Sequence, residues 1–136
     1  MPITITVKQL ALAVQSGALA RFFAIDRPLQ VAWKNRKQVS ACETEYKLYQ
    51  EKLTTLCERY GTKHPTNPNV YEFDKDDPTV VPGEEGPKKK LFNAEREILE
   101  EQIVDGIPGD PVKVSEASGF LKITDCEILE NTFLID

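Results

Sequence analysis

One histidine, three cysteines, an acidic run and a lysine triplet are the residues of this chain whose types could do chemistry. His64 sits in Thr62-Lys63-His64-Pro65-Thr66. A catalytic histidine needs a nucleophile and an orienting carboxylate within reach. Nothing in the spacing supplies them, although Cys57 and several aspartates exist, so His64 reads as an exposed loop residue. Cys42, Cys57 and Cys126 form no CxxC pair and lack the paired-ligand spacing of a zinc site. An odd count with two of the three inside a helical pattern points to reduced thiols in a cytoplasm. Asp74-Lys75-Asp76-Asp77, with Glu85 eleven residues after Asp74, has the outline of a calcium loop. Pro78 stands where a third oxygen ligand belongs and Thr79 where the loop demands glycine, so the stretch reads as solvated and acidic. No GxSxG or HExxH occurs, and the Gly106/Gly109 segment lacks the GK[ST] ending of a phosphate loop. The expectation is a non-enzymatic protein with no catalytic residues, no metal and no cofactor.

Lys88-Lys89-Lys90 is the one run of three consecutive bases, placed at the positive end of a helix dipole, where cations are unfavourable. It reads either as contact with an acidic partner or a phosphate, or as a solvated helix start. The aromatic residues offer the other binding chemistry. Trp33, Tyr46, Tyr49 and Tyr60 lie on one long helical pattern, and Tyr71 and Phe73 follow in a short strand. Aromatic side chains are enriched at interaction hot spots, yet at helical spacing they also serve as core. Trp33, Tyr46, Tyr49, Tyr71, Phe73, Lys88, Lys89 and Lys90 are therefore the candidate protein interface.

The elements that must position these groups are legible from periodicity. Ile3-Thr4-Ile5-Thr6-Val7 alternates as a strand with one buried face. Thr6 and Gln9 have capping-box spacing, opening a helix through Leu10, Leu12, Ala13, Val14, Leu19, Phe22 and Phe23, with Gly17 as its weak point. Asp26-Arg27-Pro28 is the turn into a helix of about 33 residues, roughly 50 Å long at about 1.5 Å per residue. Gly61 is placed to end it as a left-handed C′ glycine. Val39, Cys42, Tyr46, Tyr49, Leu53, Leu56 and Tyr60 recur at alternating steps of 3 and 4, a heptad-like seam. Glu43, Lys47 and Glu51 mark the solvated side.

Five prolines and an acidic cluster then make 62–87 a loop or arm, with Val70–Phe73 as a short strand inside it. A third helix runs from Pro87 or Lys88 to Val104, with Leu91, Phe92, Ile98, Leu99 and Ile103 on its apolar side. Asp105-Gly106 and Pro108-Gly109-Asp110-Pro111 are turn signals. Val112–Val114 and Phe120–Ile123 look like strands. Thr124 and Glu127 have capping-box spacing for a last helix through Ile128, Leu129 and Phe133. The expected architecture is α+β in a single domain over residues 1–136. It is an antiparallel helical hairpin, Thr6–Ile25 against Pro28–Tyr60, with a small sheet and short C-terminal helices. One helix is too long for a chain of this size to cover.

The chain's 136 residues are 40% hydrophobic and 29% charged, enough to fold around a core. A net charge of −5 argues against a general nucleic-acid binder, which needs excess Lys and Arg against phosphates. No apolar run reaches the ~18 residues of a membrane span, and Met1-Pro2-Ile3-Thr4 does not open a secretory signal.

In this order of elements the chain resembles a family of small, poorly characterised proteins of tailed bacteriophages. The resemblance rests on Ile3–Leu10 with Ala13-Val14, on Arg27-Pro28-Leu29-Gln30-Val31-Ala32-Trp33, and on Glu51-Lys52-Leu53 with Leu56–Gly61. Leu91-Phe92-Asn93 to Glu100-Glu101, Pro111–Val114 and Ile123-Thr124-Asp125 complete it, leaving out the 62–87 loop. It departs from the family in that proline-rich loop and in the polar Lys34-Asn35-Arg36-Lys37. The resemblance implies a virion structural or assembly protein acting through protein–protein contacts. It would be a homo-oligomer or ring among other phage structural proteins, in the virion or the host cytoplasm, without direct nucleic-acid or membrane binding. The alternative is a phage-encoded inhibitor that presents carboxylates such as Asp74–Glu85 to a host defence or nucleic-acid-processing protein. An enzyme with an unrecognised site is the third reading.

Overall fold

The computed structural model describes every residue except Met1, Pro2, Asp26, Arg27, Pro82, Asp105 and Ser118. The turn expected at Asp26-Arg27 and the Asp105 half of the next turn signal lie outside the described residues. The elements run β1 (Ile5–Thr6), α1 (Val7–Gln15), α2 (Ala18–Phe23), α3 (Leu29–Tyr60), β2 (Gly61–Lys63), β3 (Tyr71–Phe73), α4 (Pro87–Glu101), β4 (Ile103–Val104), β5 (Val112–Lys113), α5 (Val114–Ala117), α6 (Ile123–Leu129) and β6 (Leu134–Ile135). The protein is α+β, with one helix of 32 residues. In place of one small sheet, the described residues form three two-stranded ladders. β1–β4 and β2–β3 are antiparallel, and β5–β6 is parallel. The chain divides into two compact units, one of residues 1–47 with 101–136 and one of residues 48–100.

In the first unit, Thr6 caps α1 in both directions. Its hydroxyl accepts from the Gln9 N–H at 3.1 Å, and its own N–H donates to Gln9 Oε1 at 2.9 Å. Ile3 and Ile5 are buried while Thr4 is exposed, so the alternation does select a face. The first arm of the hairpin is not one helix. Gly17, at φ +81°, breaks it into α1 and α2, a left-handed conformation that glycine adopts without steric cost. The core gathers Ile5, Leu10, Ala13, Leu19 and Phe22 with Val104, Leu129, Phe133 and Leu134. Phe22 and Phe133 meet at 5.8 Å between ring centroids.

The C-terminal elements differ from expectation. Phe120–Lys122 is irregular, and Ile123 already opens α6. The N-cap is Lys122, whose N–H donates to Oδ2 of Asp125 in the first helical turn at 3.3 Å, while Thr124 lies inside the helix. The same carboxylate takes two hydrogen bonds from Arg21, Nε to Oδ2 at 2.8 Å and Nη2 to Oδ1 at 2.6 Å. α6 stops at Leu129, and Phe133 reaches the core from the turn after it. Val114 starts α5 instead of extending β5.

In the second unit, the segment after α3 folds back on its own surroundings. Gly61 is the first residue of β2, not a left-handed cap. A Cβ there would stand 2.9 Å from the Cys57 carbonyl oxygen and 3.2 Å from the Phe73 ring, so close packing requires the glycine. β2 and β3 form a hairpin in which Gly61 faces Phe73, and Phe73 packs on Phe92 with ring centroids 4.7 Å apart. Asp74, at φ +57°, turns its carboxylate onto the start of α4, accepting from the Lys88 and Lys89 N–H groups at 3.0 Å each. α4 ends at Glu101, three residues earlier than expected, and Ile103-Val104 pairs with β1. Of the apolar residues expected on its covered side, Phe92 and Leu99 are buried; Leu91 and Ile98 are exposed, as is Ile103 beyond its end.

Candidate protein interface

The seam read along α3 is the covered side of that helix. Cys42 and Tyr49 are buried, and Val39, Tyr46, Leu53, Leu56 and Tyr60 are half-buried. Glu43, Lys47 and Glu51 face solvent. Heptad spacing keeps one stripe of a helix facing its neighbours, so the covered residues follow it.

Each candidate residue has a definite place. Trp33 is 58% exposed, and the Arg36 guanidinium carbon stacks 4.0 Å from its ring centroid. Tyr46 is half-buried, with its hydroxyl accepting from Gln15 Nε2 at 3.2 Å. It lines an apolar cavity of about 290 Å³ in the first unit, with Val14, Leu19, Phe23, Val39 and Cys42. Burial pushes the Cys42 thiol up to about 12, so it stays protonated and unreactive.

The other candidates belong to the second unit. Tyr49 is buried, and its hydroxyl donates to Glu100 Oε1 at 2.9 Å. Tyr60 donates to Glu95 Oε1 at 3.1 Å, and Arg59 pairs with Glu95 Oε2 at 3.3 Å. The structure brings Phe73 and Lys89 together, with the Lys89 ammonium 4.4 Å from the Phe73 centroid and 5.1 Å from that of Phe92. Tyr71 lies half-buried on the same strand. Lys88 and Lys90 are exposed. The Asp74 carboxylate at the mouth of α4 offsets the unfavourable placement of the lysines against the helix dipole. Trp33, Lys88 and Lys90 are thus free to meet a partner, whereas Tyr49, Phe73 and Lys89 hold their own unit together.

His64 organises a turn. Its Nδ1 accepts from the Thr66 and Asn67 N–H groups, each at 3.2 Å. In the acidic stretch, Asp74 is engaged as the helix cap. Asp77 takes hydrogen bonds from the Thr79 hydroxyl at 2.6 Å and N–H at 2.9 Å, which hold it below the usual carboxylate range.

Two exposed surfaces extend beyond the candidate residues, the first of them around Trp33. The start of α3 is exposed on all sides, with Leu29 81% and Trp33 58% accessible and Val31, Ala32, Lys34, Arg36 and Lys37 also open. On α4, Leu91 and Ile98 are 54% and 63% exposed beside Ala94 and Glu97. Both signals were present: four apolar residues in Leu29–Trp33 exceed what one buried stripe needs, and Leu91 lies a third of a turn from Phe92. Among the described residues, no helix is long and apolar enough to cross a membrane.

No protein-family model, curated protein or solved structure matches this chain.

Proposed function

We propose that this protein is a non-enzymatic virion or assembly protein of a tailed bacteriophage, acting through protein–protein contacts. The observation that carries the contact reading is the uncovered start of α3. Leu29 and Trp33 lie in solvent on a regular helix, with Arg36 stacked on the indole. Apolar side chains held open on a helix are what an interaction surface requires, because the ordering cost has already been met before binding. The phage assignment rests on the resemblance in residue pattern. Lys88 and Lys90, exposed at the start of α4, add a second patch open to an acidic partner.

Quantitative mass spectrometry of purified virions from the source phage, scaled to the major capsid protein, tests this reading. A reproducible copy number is expected. Absence from particles and from assembly intermediates would reject it and turn attention to a host-directed role.

A further inference from the structure

We infer that this chain binds a second copy of itself, with the exposed start of α3 on one copy docking onto the exposed stripe of α4 on the next. This rests on the reading of the protein as one that acts through protein–protein contacts. The two surfaces are complementary in apolar content and in charge.

On α3, Leu29, Ala32, Trp33, Arg36 and Lys37 follow one another at helical steps of i, i+3 and i+4, and all are exposed. No aspartate or glutamate occurs between Pro28 and Cys42, while Lys34, Arg36 and Lys37 do. This end of the helix is basic in a chain whose net charge is −5.

On α4, Leu91, Ala94, Glu97, Ile98 and Glu101 form a stripe of the same spacing, again exposed. Within its span lies Arg96, half-buried and 4.0 Å from Glu100, while the exposed Lys88 and Lys90 stand at its N-terminal end. Here the apolar residues come with carboxylates.

Complementary charge around apolar anchors selects one partner and steers encounter. On α3 the bases Arg36 and Lys37 lie at the C-terminal end of the stripe. On α4 the carboxylates of Glu97 and Glu101 lie toward the C-terminal end and the bases Lys88 and Lys90 at the N-terminal end. A parallel pairing sets Arg36 and Lys37 against Glu97 and Glu101, whereas an antiparallel one would bring them toward Lys88 and Lys90. Like-charge repulsion therefore selects the parallel arrangement. The contact joins two different surfaces, so it is heterologous, and repeated contacts close into a ring or grow into a filament.

A charge swap tests this. Sedimentation velocity on the full chain should show association that weakens as salt rises. Arg36→Glu with Lys37→Glu should remain monomeric, as should Glu97→Lys with Glu101→Lys, each weakening association on the order of tenfold or more. An equimolar mixture of the two should associate again like the wild type, which misfolded variants cannot do. Trp33→Ser, at an exposed position, should weaken self-association with an unchanged circular-dichroism spectrum. A wild type that stays monomeric would overturn the inference, and so would variants that associate unaltered or a mixture that fails to recover. Detection of the protein in particles alongside such a failure would leave the proposed function standing and reject only this contact.

Discussion

Arg21 and Asp125 stand 104 residues apart and share two hydrogen bonds, with the Asp125 side chain only 1% exposed. The Arg21 guanidinium holds the Asp125 carboxyl below its ordinary range. Asp125 thus contributes stability above the unfolded-chain pKa of about 3.9, and that contribution is lost as pH falls through the depressed folded value. Asp125→Ala should cost about 2 kcal/mol near neutrality, because Arg21 loses its partner but keeps access to water. Urea titrations at pH 7 and below pH 3 should show the difference between variant and wild type shrinking at the lower pH. A gap of constant size would mean that the pair contributes through packing alone. Gly86 offers a second residue-scale test, since a Cβ there would fall on the Asp74 carboxyl group. Gly86→Ala should displace the cap of α4 and cost about 1 kcal/mol. Combining it with Asp74→Ala should add little, and full additivity in thermal melts would show that the glycine acts elsewhere.

At the scale of elements, the long helix illustrates how far a pattern can be trusted. The 3-and-4 spacing from Val39 to Tyr60 marks the side that becomes covered, since a helix has only one way to present such a stripe. Leu53→Asp puts a charge into that side beside Leu56, and a loss of about 2 kcal/mol or more is expected. An unchanged urea midpoint would show that Leu53 turns to solvent. Helix ends were less legible. The Thr6–Gln9 cap closes over three residues and can be read directly. The cap of α4 comes from Asp74, fourteen residues upstream of Lys88, through a hairpin that no local spacing announces. The break at Gly17 was visible as a weak point. Its cause is tertiary: α1 and α2 both turn their apolar sides to a core completed by Phe133 and Leu134.

For the whole molecule, the first unit is closed by its most distant parts. Residues 3–25 supply one side of the core, and Val104, Ile107, Ala117, Leu129, Phe133 and Leu134 supply the other. Deleting residues 122–136 would uncover Leu10 and Phe22 and remove the partner of Arg21. We expect loss of cooperative melting and strong binding of a hydrophobic dye. A truncated chain that melts as sharply as the full one would show that the N-terminal elements form a core unaided. The candidate interface divides at this scale. Tyr49, Phe73 and Lys89 are engaged within the second unit, while Trp33 and the start of α3 remain uncovered.

What the sequence by itself determined is local or periodic: the α+β class, the Thr6 cap, the length of α3 and the stripe along it. Each depends on residues within a few turns of one another, where backbone geometry sets which side chains meet. Only the tertiary structure decided that Asp125 answers Arg21, that Asp74 caps α4 and that Gly61 is required by crowding. It also decided which aromatic residues are spent inside and which stay free. Those outcomes depend on which distant surfaces meet, and side-chain type alone carries no record of distance.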